Sequence, residues 1–328
     1  MPAREGCEIY MRNTVCALTL NPAIDKTVYI NDFTLNTVNR VGESCQVPGS
    51  KGVNVARIMA KCGVGSVCFG FIGGRNGGYV LSELEKEGVG DGFVRVDYDI
   101  RTNIKVVDLK NSTYTDINFD GGCPSAENMR QLREKTRTLA SESAFVALGG
   151  SVPPGVDNAV YYELALIAQS EGARVSVDCY NEPLIKALAA KPYIIKPNID
   201  ELEQTFSEKY ETVDKIASKA MEIYRGGVEN VLVSLGGDGA VAVCGGDVFR
   251  LYTDDLPVYN TVGAGDAFLS GFIYGKHKGF DVVRCLKHSL SFSQAMVSSR
   301  ADEVRGIAEL TQYVGGARVE VLSTGITG

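Results

Sequence analysis

The sequence predicts an α/β fold in which a doubly wound, mostly parallel sheet carries helices on both faces and a small β-sheet lid is attached to it. Short, continuously apolar runs alternate with amphipathic stretches of helical period along the chain, as expected for strands buried on both faces of a parallel sheet. Small and polar residues collect directly after those runs, at Asn21, Gly73-Gly74, Gly149-Gly150-Ser151, Asp178, Lys196 and Ser234, where open α/β sheets bind ligands. Two regions, 26–47 and 93–119, break the alternation and are rich in β-formers, Asn and Thr.

Taken in order, residues 15–20, 67–72, 145–148, 174–177, 193–195 and 231–235 read as strands. Residues 53–62, 77–87, 126–141, 157–171, 199–206, 213–224 and 264–278 read as helices, the last because Ala267, Phe268, Gly271, Phe272 and Tyr274 keep mostly to one side of a 3.6-residue period. The two irregular regions supply strand pairs, with Ile104, Val106 and Asp108 on one side and Lys105, Val107 and Leu109 on the other. They form either edge strands of the main sheet or a separate lid over the site, and the lid is the reading adopted. The expected organisation is an extension at 1–10 ahead of a second Met at 11, a main domain from 11–25, 48–92 and 120–322, a lid from 26–47 and 93–119, and a tail at 323–328.

With 328 residues, 45% hydrophobic and 22% charged, the chain has the composition of an ordinary globular protein. A net charge of −7 argues against nucleic acid as a main partner, since a phosphate backbone calls for a basic face. No apolar run approaches the length of a membrane span, and residues 1–10 lack the apolar stretch of a signal peptide. The nine cysteines are scattered and never form a C-x-x-C pair, the pattern of free thiols in a reducing compartment, so the expected location is cytoplasmic. His277 and His288, the only histidines, sit on expected helices away from other metal-ligand types.

The most informative stretch is Val262-Gly263-Ala264-Gly265-Asp266 at the start of a buried helix. Free amides and the positive end of a helix dipole make such a start an anion site. Asp266 adds a carboxylate base, so the segment holds the parts required for phosphoryl transfer to an alcohol. The plainer reading is a helix cap. Gly49-Ser50-Lys51-Gly52-Val53-Asn54 opens another helix, and Asn54 can both donate to and accept from sugar hydroxyls. No Walker A spacing occurs, and Gly73-Gly74 with Gly77-Gly78 lacks the dinucleotide spacing.

Asp25, after a strand and a Pro, is either a ligand for vicinal hydroxyls or a turn residue. Arg101 and Lys105 put two cations on one face of a strand, a phosphate clamp or the protective charges of an edge. Lys196 ends a strand, and Asn198 and Glu201 one turn apart either orient water around a phosphate-bound Mg²⁺ or form an N-cap with its capping-box partner. Ser234, Gly236 and Gly239 make room for a nucleotide or simply make a hairpin turn.

These segments, in this order, resemble the ribokinase-like (PfkB) carbohydrate kinase family over roughly residues 15–314. The specific motif is Asn260-Thr261-Val262-Gly263-Ala264-Gly265-Asp266. Asn21-Pro-Ala-Ile-Asp25, Thr115-Asp116-Ile117-Asn118-Phe119, Gly150-Ser151-Val152-Pro153-Pro154-Gly155 and Lys196-Pro197-Asn198 look most like its phosphosugar branch, the 1-phosphofructokinases and tagatose-6-phosphate kinases. The resemblance implies an ATP-dependent, Mg²⁺-assisted kinase of the ribokinase fold whose lid often pairs with another subunit. It makes Asp266 the base and the backbone of Gly263, Ala264 and Gly265 the anion hole. Asp25, Gly49 and Asn54 would hold sugar hydroxyls, while Arg101, Lys51 and Lys105, with Ser151 nearby, would hold the phosphate already on the sugar. Lys196, Asn198 and Glu201 fall on the nucleotide side, the last two reaching the metal through water, and Ser234, Gly236 and Gly239 on the ATP pocket.

Three departures from the family pattern occur: Ser50 for a second glycine, Cys179-Tyr180-Asn181 after Asp178 for small residues and Gly, and Asp120 for Pro. The expected reaction converts fructose 1-phosphate to fructose 1,6-bisphosphate. Tagatose 6-phosphate is the alternative acceptor, and sugar-phosphate binding without turnover is the alternative of another class.

Overall fold

The protein, seen in a computed structural model, is described over residues 12–253, 256–259, 261–299 and 306–323. Asn260 of the motif, the extension at 1–10, Met11 and residues 324–328 of the tail lie outside the described residues.

In chain order the strands are β1 (Thr14–Thr19), β2 (Ala23–Ile30), β3 (Glu43–Gly49), β4 (Gly65–Ile72), β5 (Gly90–Asp91), β6 (Val94–Arg95), β7 (Arg101–Asp108) and β8 (Thr113–Ile117). They continue as β9 (Ser143–Gly149), β10 (Arg174–Asp178), β11 (Ile194–Ile195), β12 (Asn230–Ser234), β13 (Ala240–Cys244), β14 (Asp247–Tyr252) and β15 (Arg318–Ser323). The helices are α1 (Lys51–Lys61), α2 (Gly74–Lys86), α3 (Ala126–Ser141), α4 (Val160–Ser170), α5 (Glu182–Leu188), α6 (Ile199–Phe206), α7 (Val213–Arg225), α8 (Ala264–His277), α9 (Val282–Val297) and α10 (Ile307–Thr311).

The main sheet runs β15-β14-β13-β12-β11-β10-β9-β1-β4-β5, with β6 also paired to β4. Its pairs from β12 through β1 to β4, β5 and β6 are parallel, and β13, β14 and β15 add an antiparallel margin. Period-two alternation divides the core between the two faces. Val15 and Ala17 of β1 join Val53, Phe268, Phe272 and Phe292 from α1, α8 and α9. Cys16 and Leu18 join Leu132, Tyr161, Leu164 and Ile216 from α3, α4 and α7 on the other side. Phe69, Phe71, Phe145, Phe272 and Phe292 are fully buried, and each such side chain favours folding by about 1.5–3 kcal/mol. The doubly wound, helix-covered sheet is therefore present.

A second sheet, β3-β2-β7-β8, stands apart from the first. β2 runs parallel to β7 and antiparallel to β3, and β8 closes the other edge. Its own core is thin: Val28, Ile30 and Val106, with Phe33 and Ile104 packed against them. Strands β2 and β3 run through the boundaries expected at 25 and 47. Val94–Arg95 pairs with β4 of the main sheet, so the opening of the 93–119 region belongs there rather than to the second sheet.

The main sheet changes winding direction beside β1, which has β4 on one side and β9 on the other. The carboxyl ends of β1 and β9 flank the crevice that such a reversal creates.

Candidate active site

A cavity of about 520 Å³ opens at that crevice, lined by Asn21 beyond β1, by Gly150 and Ser151 beyond β9, and by Ser50, Lys51, Arg101 and Tyr180. Arg101 begins β7 and reaches back across the gap between the sheets. Its Nη1 donates to the Phe119 carbonyl (2.7 Å) and its Nη2 to Ser151 Oγ (3.2 Å). Its Nε is buried without a hydrogen-bond partner among the described residues. Burial pulls the guanidinium below its ordinary pKa, against the charges of Asp25 and Asp120. Ser151 Oγ also receives Asn21 Nδ2 at 3.2 Å.

Asp25, on β2, accepts from Asn103 Nδ2 at 2.9 Å, and burial raises its carboxyl above the usual range. Gly49 is required at its position because a Cβ there would lie 2.0 Å from Asp25 Oδ2. Ser50, next in the chain, adopts φ 111° and ψ 155°, a conformation that side chains rarely tolerate. Its hydroxyl lies 2.6 Å from Thr19 Oγ1.

Lys51 takes a place different from the phosphate clamp expected of it. Its Nζ lies 2.7 Å from Asp178 Oδ1 and 2.7 Å from Glu201 Oε1, bridging α1 to the end of β10 and to α6. Burial alone would lower its pKa, but Asp178, Glu201 and Asp266 override that and hold the ammonium firmly protonated. Lys105 is likewise taken up within the second sheet, 2.7 Å from its cross-strand partner Asp116 and over the Tyr114 ring. Lys51 and Lys105 each lie beside a carboxylate, whereas Arg101 lines the cavity with uncharged hydrogen-bond partners.

Lys196 follows β11 and is almost fully buried, 3.3 Å from Asp178 Oδ2 as an ion pair without hydrogen-bond geometry. Asn198 and Glu201 cap each other: Glu201 N donates to Asn198 Oδ1 (2.7 Å) and Asn198 N to Glu201 Oε2 (2.9 Å). The two residues thus form a capping box at the start of α6. Asn198 pairs with Ser234 through an isolated parallel bridge, which brings the β11 and β12 ends together. Beyond Ser234, Gly236 takes a left-handed φ of 63° in a tight turn, and Arg250 braces that turn through the Asp238 and Ala240 carbonyls. Gly239 lets the turn return against the Leu251 carbonyl, 2.1 Å from where a Cβ would stand.

Helix α8 points its first turn into this cluster. Gly263 is left-handed at φ 77°, which glycine adopts without penalty. Ala267 N bonds the Gly263 carbonyl, and Ala264 N reaches the Thr261 carbonyl only at 3.4 Å. Among the described residues no acceptor pairs with the amides of Gly265 and Asp266, which are the orphan donors of a helix start. A Cβ on Gly265 would stand 3.3 Å from Lys196 Nζ, so an ammonium flanks those amides. Asp266 is buried, and Asn54 Nδ2 donates to its Oδ2 at 2.7 Å. Burial first, then the negative charge of Asp178, push its carboxyl up to about 7 against the pull of Lys51, Asn54 and Lys196. A carboxyl poised there can take a proton from an alcohol near neutral pH.

Asp178, Asn103 and Tyr180 belong to the site although none was assigned a role from sequence. The placement of Asp178 directly after an apolar strand was the signal available for it. Among the described residues no group of three or more His, Cys, Asp or Glu is arranged to hold a metal ion directly, and no helix is long and apolar enough to cross a membrane.

Residues 18–304 match the family model described as pfkB family carbohydrate kinase. The 1-phosphofructokinase of Rhodobacter capsulatus is 35% identical over 85% of this chain and 89% of its own. The tagatose-6-phosphate kinase of Staphylococcus epidermidis is 28% identical over 80% of this chain and 84% of its own. The crystal structure of a possible 1-phosphofructokinase from Thermotoga maritima superposes with a TM-score of 0.86 at 26% identity, covering 94% of this chain and 100% of that one.

Proposed function

The chain belongs to the pfkB family of carbohydrate kinases, and from that premise we propose that it transfers the γ-phosphoryl group of ATP to fructose 1-phosphate, giving ADP and fructose 1,6-bisphosphate. The observation that carries the choice of a phosphorylated acceptor is Arg101, a guanidinium lining the cavity whose hydrogen-bond partners among the described residues are a carbonyl and a hydroxyl, neither of them charged. A bound phosphate supplies the acceptor oxygens that such a group requires. An unphosphorylated sugar leaves the guanidinium without an anionic ligand.

Asp25 and Asn54 hold sugar hydroxyls, and Gly49 permits the close approach at Asp25. Asp266 accepts the proton of the attacking hydroxyl. The new bond joins that oxygen to the γ-phosphorus as the bond from phosphorus to the ADP oxygen breaks. The amides at the start of α8, of the run Gly263, Ala264 and Gly265, with Lys196 beside them, stabilise the charge on the moving group. Ser234, Gly236 and Gly239 shape the nucleotide side.

A Mg²⁺ ion accompanying the nucleotide neutralises phosphate charge. Asn198 and Glu201 suit its bound waters rather than the ion itself, since both Glu201 oxygens already accept hydrogen bonds and Mg²⁺ retains much of its hydration. Lys51 fixes Asp178 and Glu201 instead of holding substrate phosphate.

The reading extends to a homodimer formed through the second sheet, the lid of the site. Leu35, Val38, Leu109, Tyr114, Ile117 and Phe119 are exposed in and around it, an apolar surface that a second copy would cover. A cytoplasmic location is supported by the described cysteines, all of them free thiols.

The test is a kinase assay across fructose 1-phosphate, tagatose 6-phosphate, fructose 6-phosphate and unphosphorylated hexoses. Fructose 1-phosphate is expected to give the highest kcat/KM, and Arg101→Gln to raise its KM about 10- to 100-fold while leaving the KM for ATP unchanged. A preference for an unphosphorylated hexose sinks the reading, and a preference for tagatose 6-phosphate moves it to the second relative's reaction.

A further inference from the structure

Ser50 combines three features that a connecting residue does not need. It joins β3 of the second sheet to α1 of the main domain, it holds a backbone conformation (φ 111°, ψ 155°) that is essentially glycine's own, and it lines the cavity beside Lys51. Glycine would satisfy the connection without strain, so the side chain persists against a conformational penalty.

What the side chain does follows from counting protons. Thr19 is 1% exposed, and its hydroxyl has one proton to place. Among the described residues the partner of Thr19 Oγ1 is Ser50 Oγ, at 2.6 Å. A buried hydroxyl proton left without an acceptor is costly, so Thr19 donates and Ser50 accepts. The proton of Ser50 is then not used in this pair. Its oxygen belongs to a residue lining the cavity that also holds Arg101, Ser151 and Asn21. Arg101 has no acceptor capacity, and its charge draws ligand oxygens into the same space.

We infer that Ser50 is a substrate-contacting residue whose hydroxyl, oriented by Thr19, donates a hydrogen bond to an acceptor oxygen of the phosphorylated sugar. This rests on the sugar-phosphate kinase reading above and adds a donor to it. The residue is then specificity-determining, because an analogue lacking that oxygen loses the bond and leaves a desolvated hydroxyl behind.

The experiment compares wild-type protein with Ser50→Ala, Ser50→Gly and Thr19→Val, measuring turnover of fructose 1-phosphate with ATP, calorimetric binding of fructose 1-phosphate alone, and thermal midpoints. Ser50→Ala and Ser50→Gly are expected to weaken fructose 1-phosphate about 5- to 10-fold in KM and in Kd, with the KM for ATP unchanged. Thr19→Val keeps the Ser50 hydroxyl and is expected to lower the thermal midpoint while changing KM less than Ser50→Ala does. Should Ser50→Ala fail to fold, Ser50→Gly, which relieves the strain, supplies the readout. The inference is overturned if the Ser50 variants keep the wild-type KM and Kd, or if Thr19→Val weakens the sugar phosphate as much as Ser50→Ala does. A wild-type protein that binds fructose 1-phosphate without turning it over refutes the kinase reading, while the variant-to-wild-type ratio of Kd still decides the role of Ser50. A wild-type protein that does neither overturns both.

Discussion

At the carboxyl of Asp266, burial and the charge of Asp178 oppose ionisation while Lys51, Asn54 and Lys196 favour it, and the balance puts its pKa at about 7. The unfolded carboxyl titrates near 4, so between these values the folded chain holds a proton that the unfolded chain has lost. Stability from this group is full below about pH 4 and is lost as pH rises through about 7. Asp266→Asn is therefore expected to melt higher than wild type at pH 8 and level with it at pH 4. The difference at pH 8 is on the order of 4 kcal/mol at most. The same variant should lose roughly 10²–10⁴-fold in kcat, because the amide cannot accept the acceptor's proton. The wild-type rate should fall as pH drops below about 7. A rate-versus-pH profile and melts at the two pH values check these outcomes; near-normal turnover of Asp266→Asn removes the assigned base.

At the scale of elements, α8 is held by its packing on α9, where a Cβ on Gly271 would lie 2.4 Å from the His288 carbonyl oxygen. Gly271→Ala gains up to about 1 kcal/mol in helix propensity but forces two backbones apart. Overpacking of that kind costs about 1–3 kcal/mol. The expected outcome is a lower thermal midpoint and a lower kcat, since the first turn of the same helix carries Asp266. Gly78→Ala in α2, whose new Cβ meets nothing within 4 Å, should instead raise the midpoint. If both changes raise it, close packing does not govern α8.

Legibility followed the same physics. Buried strands and amphipathic helices announce themselves by period, so 126–141 and 199–206 coincide with α3 and α6. α5 is a short seven-residue helix with few turns to show a pattern, and the antiparallel margin formed by β14 and β15 lacks the strand–helix alternation that flagged its neighbours. In the site, Gly263, Gly265 and Asp266 form one local motif and are readable as a unit. The partners of Lys51 lie 127 and 150 residues away in sequence, and nothing local distinguishes a lysine that holds phosphate from one that holds two carboxylates.

For the whole molecule, the apolar surface around the second sheet sets an expectation about assembly. Sedimentation should show two copies per particle, and Leu35→Asp with Val38→Asp, both at strongly exposed positions (75% and 81%), should yield single chains with their secondary structure intact. A wild-type particle of one chain refutes pairing through this sheet.

The parallel pairing of β2 with β7 carries a consequence for how the molecule comes into being. Those strands are separated by α1, β4 and α2, which belong to the main domain, so their junction is a long-range contact in the chain. On the ribosome the first strand pair can emerge early, yet it has no neighbour to seal its open edge until residues past 108 are synthesised. The two halves of the smaller sheet can therefore meet only after the intervening main-domain segment has been made, and that segment is the frame on which they join.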